Sequence, residues 1–196
     1  LGIGTDARIG SRFLRAGPAY GGSCFPKDTK ALASTGKEFK VDLTLVKSVI
    51  GSNHNRSSLI TSQILKILKK PKNKKVTFLG VTFKANTDDM RDSSCLKIIP
   101  SLIKKGCMIS YFEPTGQKKI LDRYKSVKHI DNIEEAIQLS DLIIIHTEWD
   151  EFKSLDFEKI RNKKNLLIYD LRNLYDPDYF SNKNIKYHSI GRPFNV

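Results

Sequence analysis

The chain has 196 residues, with 34 lysines and arginines against 21 acidic residues and a formal net charge of +13. That length can bury a sizeable core in one large or two small domains, and the charge would suit a polyanion. No aromatic–basic face or nucleic-acid motif accompanies it, so solvated basic residues and a few anion-binding ones account for it without a nucleic-acid partner. No run approaches the roughly 18 apolar residues of a membrane span and no signal-like start is present, while Cys24, Cys95 and Cys107 form an odd set without CxxC spacing; a soluble, reducing, cytoplasmic setting with neither disulfide framework nor zinc site is expected.

In chain order, residues 2–14 read as a short helix entering the glycine loop GPAYGGSCFPKD at 17–28. Ser23 reads as a helix N-cap and Pro26 as an early helical residue, with the helix running to residue 39. Residues 41–70 carry Leu45, Val49, Leu59, Ile60, Ile64, Ile67 and Leu68 at spacings near three and four, the pattern of a long helix or a helix pair. Pro71, Asn73 and the lysines around them break that pattern, and the expected boundary separates a helical segment, 1–72, from a second domain, 73–196. There the period changes: apolar runs at 76–79, 108–112, 142–146 and 166–169, with a weak one at 185–190, alternate with helical patterns at 95–105 and 133–139. The fold class expected is therefore α/β: a helical segment followed by a doubly wound, mostly parallel, Rossmann-like sheet whose ligands bind beyond the strand C-termini, at loops 81–93, 147–152 and 171–176. The loop after the first strand, GVTFKAN, is no G-x-G-x-x-G, so the dinucleotide fingerprint is missing.

Cys24 is the residue with most chemistry to offer. A helix start presents unpaired amides and the positive end of the macrodipole, Lys27 adds charge, and a thiol so placed is a nucleophile; Asp28, one turn on, sets a carboxylate that can activate water on the same face. The competing reading is a small buried hydrophobe, and the residues alone leave the two level.

Residues 8–32 (RIGSRFLRAGPAYGGSCFPKDTKAL) resemble the active-site segment of the UDP-glucose 6-dehydrogenase family, and residues 78–93 (FLGVTFKANTDDMRDS) the start of its nucleotide-sugar domain. YFEP, TEWDEF, DLRNLYDP and SIGRP match further along in the family's order. The resemblance implies the rear of a central helical, dimerising domain with the UDP-binding domain behind it, a fragment opening inside a motif at Leu1 whose NAD-binding domain lies upstream. It also implies oxidation of the sugar C6 alcohol to a carboxylate with NAD, through a thiohemiacetal and a thioester on cysteine. By the same resemblance Cys24 is the nucleophile and Asp28 its carboxylate. Phe13, Leu14, Arg15, Ala16, Gly17, Tyr20 and Gly21 belong to the loop over the substrate, and Arg8 reaches a neighbouring subunit's substrate. Phe83 and Lys84 lie at the nucleotide, Arg172 binds substrate, and Lys27 and Arg91 contact NAD. A homodimer is implied, UDP-glucose is favoured over GDP-mannose, and the chain alone should be inactive. Without the family, Phe13 and Tyr20 read as packing residues, Arg8 and Lys84 as solvated, and Arg91 as ion-paired within an acidic loop. A non-catalytic nucleotide-sugar module stays open. Ala19, Leu171 and Cys95 depart from the family pattern, the four histidines receive no role, and Trp149 reads as a structural cover over a sheet end.

Overall fold

The apolar runs after residue 74 form one six-stranded sheet. A computed structural model describes residues 2–162 and 165–193. Its strands are β1 (Lys75–Leu79), β2 (Met108–Phe112), β3 (Val127–His129), β4 (Leu142–Ile145), β5 (Leu166–Asp170) and β6 (Ile185–Ser189), all parallel, in the order β3-β2-β1-β4-β5-β6. This is the doubly wound order, with its reversal between β1 and β4, and a crevice opens beyond the strand ends at that reversal. Central strands covered on both faces must be apolar throughout, and β4 reads LIII with every residue buried.

The helices are α1 (Phe25–Glu38), α2 (Thr44–Leu68), α3 (Cys95–Lys104), α4 (Ile133–Gln138) and α5 (Phe157–Ile160). Alternation along the strands feeds two cores. Val76, Phe78, Leu142 and Ile144 meet Ile60, Ile64 and Leu68 of α2 and Ile98, Ile99 and Leu102 of α3. Leu79, Ile143, Ile145 and Ile168 meet Ile137 of α4, Phe157 of α5, Phe152 and Phe180. The 41–70 pattern is a single helix of 25 residues, and its C-terminal half lies in the core of the sheet. Trp149 is buried in the second core. Among the described residues no helix is long and apolar enough to cross a membrane.

Two local expectations are corrected. Residues 2–14 hold two 3-10 turns, Gly2–Thr5 and Ser11–Leu14, because three glycines, Gly2, Gly4 and Gly10, and a lone apolar stripe cannot sustain a longer helix. The N-cap of α1 is Cys24, already in the helical region, so Ser23 sits one residue outside and its hydroxyl approaches the Cys24 sulfur at 3.6 Å. The short edge strand β3 and the single turn α5 carry no sequence signal, both being too brief for a period to register.

Candidate active site

Arg172 follows β5 and spans the crevice where the strand order reverses. Its Nε donates to the carbonyl of His146, after β4, at 2.9 Å; Nη2 donates to the carbonyl of Phe83, after β1, at 3.1 Å; Nη1 pairs with the Glu148 carboxylate at 2.7 Å. The loop carrying it is tied to Asp170, the buried last residue of β5. Its carboxylate accepts the amides of Arg172 at 2.8 Å, Leu174 at 2.6 Å and Tyr175 at 3.2 Å and the Tyr187 hydroxyl at 2.8 Å. Burial pushes the Asp170 carboxyl above its ordinary range and the Arg172 guanidinium below its own, the latter opposed by the charges of Glu148 and Asp170. A guanidinium anchored on three sides is a fixed planar cation, the form of charge best suited to a phosphate or carboxylate.

The Cys24 turn packs onto the same strand ends. Gly22, at φ +82°, donates its amide to the Arg91 carbonyl at 2.8 Å. A Cβ on Gly21 would lie 2.5 Å from the Asp92 carbonyl oxygen, and one on Gly17 would lie 2.8 Å from Arg172 Nη1. The loop that begins beside Arg172 therefore ends at an exposed thiol. Asp28 lies one turn further, its amide bonded to the Cys24 carbonyl at 2.8 Å and its exposed carboxylate paired with Lys27 at 3.3 Å. Beside Arg172 opens a cleft of about 410 Å³, lined by Arg15, Ala16, Glu148, Lys153, Arg172 and Asn173 among others. Cys24 is thus not a buried hydrophobe; Cys95 is, with burial pushing its thiol up to about 12.

Of the residues singled out in the sequence, the structure gathers Arg15, Ala16, Gly17, Gly21, Phe83 and Arg172 around the crevice, with Cys24, Lys27 and Asp28 at the end of the loop. Tyr20 is half-buried, its ring edge-on to Phe25 with centroids 4.8 Å apart. Phe13, 70% exposed, is no core residue, and Leu14 is exposed as well. Arg8 is exposed and paired with Asp6 at 2.6 Å. The Lys84 ammonium lies over the Phe83 ring at 5.5 Å. Arg91 pairs with Asp89, which holds that carboxyl below its usual range; the Arg91 guanidinium is raised chiefly by Asp89, with the nearby Cys24 sulfur adding a smaller push.

Sequence reasoning missed the residues that hold these in place. Glu113, buried just beyond β2, accepts the amides of Val81 at 2.7 Å and Thr82 at 3.2 Å and so shapes the loop leading to Phe83. His146 is buried with Nε2 at 2.8 Å from Ser94 Oγ and Nδ1 at 3.1 Å from Thr147 Oγ1; burial, and then the charge of Arg172, push its imidazole down to about 3, so the ring is neutral. An acidic residue at the very end of an apolar strand, as at Glu113 and Asp170, is the signal that could have found the first kind. For His146 a lone histidine after a strand gives none.

Residues 77–177 match the model of the UDP-glucose/GDP-mannose dehydrogenase family, UDP binding domain, and residues 1–55 match the central domain of the same family. The chain is 39% identical over 194 residues to a UDP-glucose 6-dehydrogenase of Rhizobium meliloti, an alignment covering 98% of this chain and 44% of that protein. With a UDP-glucose 6-dehydrogenase of Rickettsia bellii it shares 40% identity over 194 residues, 97% of this chain and 45% of the relative. Among solved structures, a UDP-glucose dehydrogenase from Pyrobaculum islandicum superposes with a TM-score of 0.79 at 26% identity, over 95% of this chain and 41% of that one. The chain therefore spans less than half the length of the curated relatives it matches.

Proposed function

Since the chain belongs to the UDP-glucose/GDP-mannose dehydrogenase family, we propose that it supplies the nucleotide-sugar site and the nucleophile of an enzyme that oxidises UDP-glucose at C6 to UDP-glucuronate. The observation that carries this reading is one continuous loop, in contact with Arg172 at Gly17 and ending at the exposed Cys24 thiol. In it the diphosphate meets the anchored Arg172 and the cationic lining of the adjoining cleft, and the sugar follows the loop toward the sulfur.

The reaction begins at an alcohol and ends at a carboxylate, with an aldehyde between. An aldehyde gives up hydride poorly, whereas its adduct with the Cys24 thiolate does so readily: the sulfur adds to the carbonyl carbon, the oxygen takes a proton, and loss of hydride and that proton leaves a thioester. Asp28, one turn from the sulfur, takes one proton from the attacking water; the C–S bond breaks, the thiolate is restored, and the acid gives its remaining proton to solvent and leaves as the carboxylate. NAD, when bound, supplies the acceptor for both hydrides. Lys27 and Arg91 fit the outer wall of such a dinucleotide, being exposed cations flanking the Cys24 turn, but among the described residues no strand leads into a glycine cradle for the pyrophosphate. The 196 residues alone are accordingly inactive. The family's dimer is proposed here too, and the exposed Leu45 and Val49 of α2 offer it an apolar face.

The test is the full-length protein carrying Cys24→Ala. UDP binding within about threefold of wild type, with no UDP-glucuronate formed, is the expected result; unchanged oxidation would reduce this chain to a binding module.

A further inference from the structure

Residues 17–20 have no strand or helix to satisfy their backbone, yet four of their polar groups are taken by two side chains of α2. Arg56 donates from Nη2 to the Gly17 carbonyl at 3.1 Å and from Nε to the Pro18 carbonyl at 3.0 Å. One turn earlier on the same helix, Asn53 accepts the Tyr20 amide at 3.0 Å and donates to the Tyr20 carbonyl at 3.2 Å. The chemistry of both is particular. A carboxamide is the side chain that mirrors a peptide unit, donor beside acceptor, and a guanidinium fork spans two successive carbonyls. All four bonds are partly buried, where water competes weakly for them.

The clamp has a fixed end and a working end. The fixed end is α2 itself, whose Ile60, Ile64 and Leu68 are buried in the core of the sheet. The working end is Tyr20, whose ring packs edge-on against Phe25, the first residue of α1 and the neighbour of Cys24. We propose that Asn53 and Arg56 are positioning residues that set the Cys24 turn relative to Arg172, so that the sulfur stands where a sugar held at the crevice presents its C6. Neither touches reacting atoms; both act through the backbone of 17–20. The proposal rests on the reading of Cys24 as the nucleophile.

The experiment uses the full-length protein with Asn53→Ala, Arg56→Ala and the double variant, and Ser52→Ala on the exposed side of α2 as control. Two readouts are taken: the rate of iodoacetamide alkylation at Cys24, followed by peptide mass, and kcat and KM for UDP-glucose. With the turn loosened, the exposed Cys24 sulfur no longer keeps one place at the start of α1, so alkylation in the double variant is expected to change threefold or more. Turnover is expected to fall by at least about tenfold with KM within threefold, as befits a misplaced nucleophile rather than a lost binding contact. Asn53→Asp, which keeps the acceptor for the Tyr20 amide and loses the donor, should fall between Asn53→Ala and wild type. Should the double variant fail to fold, the single variants decide by the same criteria. Alkylation and kcat both within twofold of wild type would overturn the clamp, as would a loss of turnover that merely tracks the folded fraction while alkylation holds. If the wild-type protein oxidises no nucleotide sugar, the dehydrogenase reading fails by itself and the alkylation arm still decides the clamp.

Discussion

Gly21→Ala is a small change with a large expected consequence. The Cβ would arrive 2.5 Å from the backbone carbonyl oxygen of Asp92 and 3.1 Å from Phe83 Cβ. Contacts below about 3.0 Å are not tolerated, and the obstruction is main chain, which cannot swing aside as a side-chain tip would; the Cys24 turn and the 83–92 loop must separate by roughly 0.5 Å or more. Gly21 does not lie at positive φ, so the perturbation is steric rather than conformational. Overpacking of this kind costs about 1–3 kcal/mol, a few degrees in Tm. On the proposed mechanism the same shift moves the Cys24 sulfur away from a substrate held at Arg172, and misplacement by a fraction of an ångström to an ångström costs roughly 10- to 100-fold in rate. In the full-length protein, calorimetry would read the Tm, titration with UDP the affinity, and steady-state kinetics the turnover. Expected are a modest drop in Tm, UDP affinity within about threefold and a kcat lower by at least tenfold. Turnover within twofold of wild type would refute the argument that this contact sets the thiol.

Arg172→Lys replaces a three-sided anchor with a single flexible ammonium and should weaken UDP binding roughly tenfold or more by calorimetric titration, with a smaller effect on folding. Asp170→Ala strips the acceptor from three amides and the Tyr187 hydroxyl beside a buried guanidinium and should cost about 3–5 kcal/mol in urea unfolding. His146 is neutral when folded, at about 3, and ordinary when unfolded, near 6.5; the unfolded chain therefore binds the extra proton between those values, and stability is lost as pH falls below 6.5. His146→Gln should remove that share, up to about 1.4 kcal/mol per pH unit, so the wild-type advantage over the variant in urea midpoints shrinks from pH 7 to pH 5.

The sheet was legible because β1, β2, β4 and β5 are apolar runs separated by punctuation, and doubly wound chains permit few other arrangements. The strand order itself, with β3 at the edge, depended on a three-residue strand that no periodicity announces. In the site, the glycine loop could be read because each glycine answers a steric demand, and Arg172 because it follows a strand. What escaped was the support. Glu113 and Asp170 act through loop amides, and Asn53 and Arg56 reach the loop from a helix more than thirty residues away, contacts that pair spacing in a sequence does not encode. The N-cap was misplaced by one residue because Ser23 is the better capping side chain, while the backbone had already turned helical at Cys24.

The whole account turns on a bond between Cys24 and the sugar carbon. In the full-length protein with Asp28→Asn, mixed with UDP-glucose and NAD and quenched in acid, the Cys24 peptide should carry the mass of a UDP-glucuronyl thioester, absent when Cys24→Ala is added. An unmodified Cys24 peptide during active formation of UDP-glucuronate would contradict it.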